Sequence, residues 1–428
     1  MTVSEAIAYI NNYTWSTSKM GLSRTEELLS KMGDPHRELA FVHVTGSNGK
    51  GSTCAMVAQI LQEAGYRVGL YTSPYVCDFN ERIRINGSNI TDQDLADLTQ
   101  SVAVIADAME DHPTQFELLT AIAMAYFQRE KCDLVVLEVG MGGAMDSTNV
   151  IPPPLVAALT NIGLEHTEYL GNTIEEIAKT KGGIIKKGCS CVCYDSNPDA
   201  VETIREICKD LDVPFVLAKG ETASSVSLAG QCFSYQGRSY ETGLLGEHQI
   251  KNAAVALEII KILQNKGYRI EEEQIREGLK HTIWPARFEV LQKNPLFILD
   301  GGHNPQCAQA LTDTIRQVLP GRKVWFLTGV LADKDYEQIA DLISPVALGA
   351  ITITPDNPRA LDAKTYAEVL RKRRLFAQAS DTVEEGIDLV LQKAQDQTVV
   401  AFGSLYMAGA IRKIVLSNVS MQDGKADK

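Results

Sequence analysis

The sequence predicts an α/β protein in two units, residues 1–287 and 288–428, each a mostly parallel sheet covered by helices, the second unit the smaller. Three observations predict it. Short apolar runs bounded by turn residues alternate with stretches of helical periodicity, which is the α/β pattern. That alternation stops and starts again after "IWPARFEV", residues 283–290. The chain of 428 residues is also long for a single core.

In the first unit, "LAFVHV" (39–44), "RVGLYT" (67–72), "CDLVVLE" (132–138) and "LVAALTNIG" (155–163) read as strands. They are continuous apolar runs, as expected for strands buried on both faces of a parallel sheet. Between them "STCAMVAQILQEAG" (52–65) and "ELLTAIAMAYFQREK" (117–131) repeat their apolar residues near the helical period. In the second unit "PLFILD", "KVWFLTGV", "LGAITIT", "RLFAQA" and "QTVVAFGS" form a further series of short buried strands. The boundary is expected at "FEVLQKN", residues 288–294, and the polar tail 421–428 is expected to fray.

Bulk properties narrow the function. With 45% apolar and 22% charged residues the composition is that of a globular protein. A net charge of −13 argues against non-specific binding to nucleic acid or an anionic membrane. The first residues lack the basic flank and apolar core of a signal peptide, and no apolar run is long enough to span a bilayer. Nine scattered cysteines fit reduced thiols in a cytoplasm, and the expected location is cytoplasmic. "CSCVC" (189–193) has no CxxC pair to complete a zinc set and reads as alternate residues on one face of a strand.

The turn "VTGSNGKGST" (44–53) lies between the first strand and the first long helix. Its backbone N–H groups, at the positive end of a helix, make a cradle for phosphate. Lys50 adds a cation for the terminal phosphates, and Ser52 or Thr53 can reach a bound Mg²⁺. The spacing departs from GxxxxGK[ST]: Gly46 is too close to Gly49–Lys50, and Gly51 precedes Ser52. The first unit is thus a P-loop-type domain with an altered loop.

Ligands of open α/β sheets sit beyond the carboxyl ends of the strands. There the sequence places Ser73 of "TSP", Glu138 of "LVVLE" and His166 of "NIGLEH". Singly, Ser73 before Pro74 reads equally as a turn residue and His166 as a loop histidine. A carboxylate ending an apolar strand is costly unless a cation meets it. Together the three point to metal–phosphate chemistry: Ser73 and Glu138 suit one Mg²⁺, and His166 a second metal position. Lys179 and Lys181 fall near the end of a helix starting around Thr173, where the helix dipole favours cations.

Ten motifs then occur in order: "TGSNGKGST", "YTSPYV", "FNERIRING", "LEVGMGGAMDSTNV", "NIGLEHTEYLGNTIEEIAKTKGGI", "LLGEHQIKNAAVAL", "WPARFEV", "LDGGHNP", "GVLADKD" and "GSLY". From about residue 20 to 410 the chain resembles the folylpolyglutamate synthase / dihydrofolate synthase family of the Mur-ligase superfamily, of the bacterial bifunctional type. The resemblance implies a Mur-ligase central domain followed by a Rossmann-like C-terminal domain. It implies an ATP-dependent ligase that phosphorylates a carboxylate and lets the amine of L-glutamate displace the phosphate. The acceptor is dihydropteroate, a reduced folate, or both. The first step needs positioning and charge neutralisation rather than a protein nucleophile, which agrees with the lack of a nucleophile–base motif.

By motif, the resemblance implies that Gly49, Lys50, Gly51 and Ser52 cradle the ATP phosphates and that Asn252, Arg287 and Asp300 are nucleotide contacts. Ser73 and Glu138 match the first Mg²⁺ site and His166 the second. Lys181 matches a lysine carried as a carbamate, which supplies oxygens to that second metal. His303 joins this catalytic group. Gly21, Leu22, Ser23 and Arg24, with Phe116, Glu117 and Asp146, match the acceptor side. A monovalent cation and a monomeric state belong to the same expectation. The chain departs from the family at Ala144, where arginine is usual, at Glu165 for aspartate, and at Gly302 for alanine. Two other readings stay open: a peptidoglycan-precursor ligase, and a nucleotide-binding protein without ligase activity.

Overall fold

The computed structural model describes residues 1–13 and 21–426. Its first sheet holds β1 (Phe41–Thr45), β2 (Val68–Tyr71), β3 (Ile83–Ile85), β4 (Ser88–Asn89), β5 (Leu134–Glu138), β6 (Val156–Leu159), β7 (Ser190–Tyr194) and β8 (Phe215–Ala218). They lie in the order β4-β3-β2-β5-β1-β6-β7-β8. The six strands from β2 to β8 run parallel, and β3 and β4 add an antiparallel edge.

The parallel strands are apolar throughout because both faces are covered. On one face the helices Lys50–Glu63, Glu247–Asn265 and Glu272–Lys280 close a core with Val42, Val44, Leu134 and Val136. On the other, helices Asp92–Ala106 and Gln115–Arg129 cover Phe41, Tyr71, Val135 and Leu137. Helices Ile174–Gly182 and Pro198–Asp210 pack there against β6 and β7. Cys191 and Cys193 point into that last cluster while Val192 and Tyr194 face the opposite core, so the "CSCVC" run is strand alternation. Among the described residues, which include all nine cysteines, no disulfide forms.

A small antiparallel sheet, β9 (Ala223–Ser227), β10 (Gly230–Tyr235) and β11 (Arg238–Thr242), follows the first sheet in sequence. It went unforeseen: its strands are polar and largely exposed on one side.

The third sheet holds β12 (Glu289–Lys293), β13 (Leu296–Asp300), β14 (Val324–Thr328), β15 (Ala347–Thr352), β16 (Phe376–Ala379) and β17 (Val399–Phe402), ordered β12-β13-β17-β14-β15-β16. Only β12 is antiparallel. The segment expected as a boundary is therefore itself an edge strand. Two apolar clusters cover the two faces. The last helix, Leu405–Ala426, runs into the tail expected to fray, of which residues 427–428 lie outside the described residues. Among the described residues no helix is long and apolar enough to cross a membrane.

Register aligns the carboxyl ends that matter. Glu138 of β5 stands beside Val44 of β1, Tyr71 of β2 beside Leu137, and Leu159 of β6 beside Thr45. Across the molecule Asp300 of β13 stands beside Phe402 of β17. The helix that presents the phosphate turn is held by apolar packing, with Ile60 fully buried toward its C-terminal end. Ile60→Ala is expected to lower unfolding free energy by about 2–5 kcal/mol, read by urea denaturation of the whole chain; an unchanged midpoint would contradict this packing.

Candidate active site

The phosphate turn occupies a seat without room for side chains. Gly46 and Gly49 take φ of 151° and 89°, which favour glycine. A Cβ on Gly46 would collide with the Thr160 hydroxyl, and one on Gly49 with the Asn252 side-chain amide. Thr160 Oγ1 donates to Asn48 O at 2.8 Å, and Ser47 Oγ donates to Gly163 O at 3.0 Å while accepting from Gly163 N at 3.1 Å. The loop after β6 thereby fixes the loop after β1. Helix Lys50–Glu63 starts immediately beyond, and its first residues, whose amides have no partner within the helix, line the cleft. Lys50 Nζ donates to Gly46 O at 2.8 Å, holding the cation over the turn.

Beside it stands Glu138, almost fully buried. Burial pushes its carboxyl upward, against the pull of the Lys50 ammonium and the Ser73 amide. That amide donates to Glu138 Oε2 at 3.1 Å, and Ser73 and Glu138 both line the cleft. Ser73 Oγ also accepts from Arg82 Nη1 at 3.1 Å.

Lys181 is 1% exposed, at the end of helix Ile174–Gly182, and donates to Glu165 Oε1 at 2.8 Å. Burial lowers its ammonium to about 8, against the pull of Glu165. Burial acts upward on Glu165, yet Lys181 and Lys50 together hold it down at about 2. His166, at φ 44° in front of the short helix Thr167–Leu170, is pushed down by burial, against the pull of Glu165. Glu165 entered the sequence reading only as a departure from aspartate; its pairing with Lys181 spans sixteen residues and had no sequence signal.

The opposite wall of the cleft comes from the third sheet and from helix Glu247–Asn265. The cleft, about 200 Å³, is lined by Lys50, Ser52, Ser73 and Glu138 on one side and by Arg287, Asp300, His303 and Leu405 on the other. Asp300 uses both oxygens locally, accepting from Phe288 N at 3.0 Å and Gly302 N at 2.8 Å. Arg287 Nη1 donates to Ala286 O at 2.9 Å. Burial, with Lys334 adding, lowers His303 to about 4. Asn252 is buried beside Gly49 and donates to Gln249 Oε1 at 3.0 Å. His248 and Gln249 also line the cleft and were missed. Their available signal was a polar group, His248, Gln249 and Asn252, on a helix that is otherwise largely apolar.

Asn48 ties the two sides together. Its Nδ2 donates to Gln306 Oε1 at 2.8 Å, and its Oδ1 accepts from Asn304 Nδ2 at 3.0 Å and Cys307 Sγ at 3.3 Å. The phosphate turn is thus hydrogen-bonded directly to the start of helix Pro305–Val318 in the third-sheet unit.

The residues expected on the acceptor side do not line this cleft. Arg24 and Glu117 face each other: Nε and Nη2 of Arg24 donate to the two Glu117 oxygens at 3.0 and 2.9 Å. Arg24 also reaches Asp111 Oδ2 at 3.2 Å. Gly21 and Leu22 lead into the helix Ser23–Lys31 that carries Arg24. Phe116 packs near Tyr71, with ring centroids 5.8 Å apart. Asp146 shapes its own loop, accepting from Met141 N at 2.9 Å, Thr148 N at 3.0 Å and Thr148 Oγ1 at 2.5 Å. Ala144 is fixed through its backbone, its N–H donating to Thr180 O at 2.9 Å and its carbonyl accepting from Asn149 Nδ2 at 3.2 Å.

Comparison with known proteins gives this arrangement a family. Residues 44–260 match the Mur ligase middle domain, and residues 286–405 match the Mur ligase glutamate ligase domain. The chain is 35% identical to folylpolyglutamate synthase of Lacticaseibacillus casei, over 98% of this chain and 100% of that protein. It is 36% identical to dihydrofolate synthase/folylpolyglutamate synthase of Bacillus subtilis, over 92% and 95% respectively. Its structure is similar to the Mycobacterium tuberculosis folylpolyglutamate synthase complexed with ADP and AMPPCP, with a TM-score of 0.88 at 28% identity, covering 96% of this chain and 98% of that one. With both family domains matched and these relatives aligned over nearly the whole chain, the chain belongs to the folylpolyglutamate synthase / dihydrofolate synthase family of Mur-type ligases.

Proposed function

We propose that this protein is an ATP-dependent amide ligase that adds L-glutamate to dihydropteroate, to the glutamate tail of a reduced folate, or to both, through an acyl phosphate. The observation that carries this reading is the cleft itself, where the phosphate turn and Glu138 of one sheet face Arg287, Asp300 and His303 of the other. The reading takes 1–287 as the ATP-binding unit and 288–428 as the Rossmann-like one. It describes a cytoplasmic monomer that takes small-molecule substrates and neither nucleic acid nor membrane.

In this reading the amides of Gly49, Gly51 and Ser52 receive the ATP phosphates, and Lys50 neutralises charge as the γ-phosphoryl group moves to the acceptor carboxylate. Asn252, Arg287 and Asp300 hold the nucleotide. The amine of L-glutamate then attacks the acyl carbonyl, an amide C–N bond forms and phosphate leaves. His303 is neutral at neutral pH and offers the incoming amine a hydrogen-bond partner. Contact between the units through Asn48 excludes water that would hydrolyse the acyl phosphate.

The donor types suit Mg²⁺ at the first position, because the buried carboxylate Glu138 and the hydroxyl residue Ser73 both line the cleft beside the phosphate turn. Ser73 and Glu138 would hold one ion. His166 and Lys181, the latter as a carbamate, would hold a second. When bound, the ions neutralise phosphate charge. Among the described residues no three His, Cys, Asp or Glu side chains gather as a metal set. In this reading a carbamate on Lys181, as the family resemblance implies, would add oxygen ligands at the second position. On the acceptor side, Gly21 to Ser23 and Phe116 would contact the pterin, with Arg24, Glu117 and Asp146 fixing that wall.

ADP release should require ATP, Mg²⁺, L-glutamate and an acceptor, dihydropteroate or reduced folate; no release with either acceptor would contradict the proposal. Lys50→Ala should cost at least about a hundredfold in that assay. Lys181→Ala should lose turnover and regain part of it with added formate or acetate, since a small carboxylate replaces the carbamate. An unrescued but folded variant, or full activity without lysine modification in the intact mass, would count against the carbamate.

A further inference from the structure

The loop from Thr72 to Arg82 carries Ser73 and is closed at its base by Thr72 N donating to Arg82 O at 3.0 Å. Inside the loop one carboxylate gathers three successive amides. Glu81 accepts from Val76 N at 2.9 Å, from Cys77 N at 3.3 Å and from Asp78 N at 3.2 Å. A capping carboxylate normally takes fewer. Its outer side faces Arg84, whose Nη2 lies 3.6 Å from Glu81 Oε2 and whose guanidinium sits 5.2 Å over the Trp284 ring.

The gathered turn is also where the other unit lands. Helix Leu405–Ala426 crosses it at Gly409, where a Cβ would collide with Val76 O. One turn further, Lys413 Nζ donates to Cys77 O at 3.0 Å and to Asp78 Oδ1 at 2.7 Å. Val76 itself packs into the apolar cluster of the third sheet. The same three residues are therefore held from inside by the first unit and from outside by the second, three to five positions from Ser73.

We propose that Glu81 is a positioning residue of the ligase: it shapes the turn Val76–Asp78 into the seat for the last helix, and so sets Ser73 against both halves of the cleft. This rests on the reading of Ser73 given above. Without the second oxygen of Glu81 the amides lose their common acceptor while Lys413 and Gly409 still press on the turn, so the loop shifts and Ser73 shifts with it.

The test uses the full-length protein with Glu81→Gln and Gly409→Ala beside Ser73→Ala. Amide exchange at Val76, Cys77 and Asp78, measured without metal or nucleotide, should quicken at least about tenfold in Glu81→Gln. The rate kcat should fall about ten- to a hundredfold in Glu81→Gln and in Gly409→Ala, as for a small misplacement of a reacting group. The Mg²⁺ needed for half-maximal rate should rise, while KM for ATP, set by the untouched phosphate turn, stays within about twofold. The double variant should be no worse than its weaker parent, because both act through one turn. A lowered melting temperature with kcat and Mg²⁺ demand unchanged would overturn the proposal, leaving Glu81 a structural cap. If Ser73→Ala changes neither quantity, the Ser73 reading has failed and this proposal falls with it. If Glu81→Gln does not fold, Lys413→Ala loosens the same turn from an exposed side chain and carries the same expectation in smaller degree; unchanged kcat and Mg²⁺ demand there would equally overturn it.

Discussion

The site depends on one steric constraint: the amide-rich start of helix Lys50–Glu63 must lie against Thr160 and Asn252 with no side chain between. Glycine at 46 and 49 meets that constraint, and the loops after β1 and β6 become a single hydrogen-bonded body. The altered spacing of the glycine-rich turn is intelligible in these terms. What the fold requires is backbone amides aimed at one point, and the residues between the glycines serve elsewhere. Ser47 fastens the turn to its neighbour, and Asn48 reaches across the cleft.

That reach gives the second unit its part. A phosphate cradle on one sheet would bind a nucleotide and leave it open to water. Asn48 with Gln306, Asn304 and Cys307, and Val76 with Gly409, join the two sheets at two separate places around the cleft. Near the phosphate turn the Lys50 ammonium acts on two carboxylates, the buried Glu138 and the partly buried Glu165, and Glu165 is paired with Lys181. Such charges are costly unless matched, and cations gathered by the phosphate turn suit a reaction that moves a highly charged phosphoryl group.

Much of this was legible in the sequence, and the physical reason is burial. β1, β2, β5 and β6 are covered on both faces and read as largely apolar runs, and the same holds for the inner strands β13, β14 and β17 of the third sheet. Glu138, which ends β5, and Ser73, just beyond β2, could therefore be named in advance as facing the cleft, whereas Asp300 was named only through the family resemblance. The three-stranded sheet β9–β11 was not legible, because its polar, half-exposed strands give no run, and β3 and β4 are too short to register. Pairings across long separations were also invisible. Arg24 and Glu117 lie ninety-three positions apart, and both emerged as acceptor-side residues although they bind each other. Asp146 was singled out for a substrate and is occupied by its own loop. A sequence shows that a charge is needed; only the fold shows what already meets it.

The central claim is that the two sheets enclose a reaction in which the acceptor's carboxylate, and not water or the glutamate amine, takes the γ-phosphoryl group. The most direct measurement uses an acceptor labelled with ¹⁸O in its carboxylate, turned over with ATP, Mg²⁺ and L-glutamate, with the released phosphate analysed by mass. One ¹⁸O should appear in phosphate for each amide formed, because the carboxylate oxygen leaves as part of the phosphate. Unlabelled phosphate, with the label retained in the product or lost to water, would contradict the account.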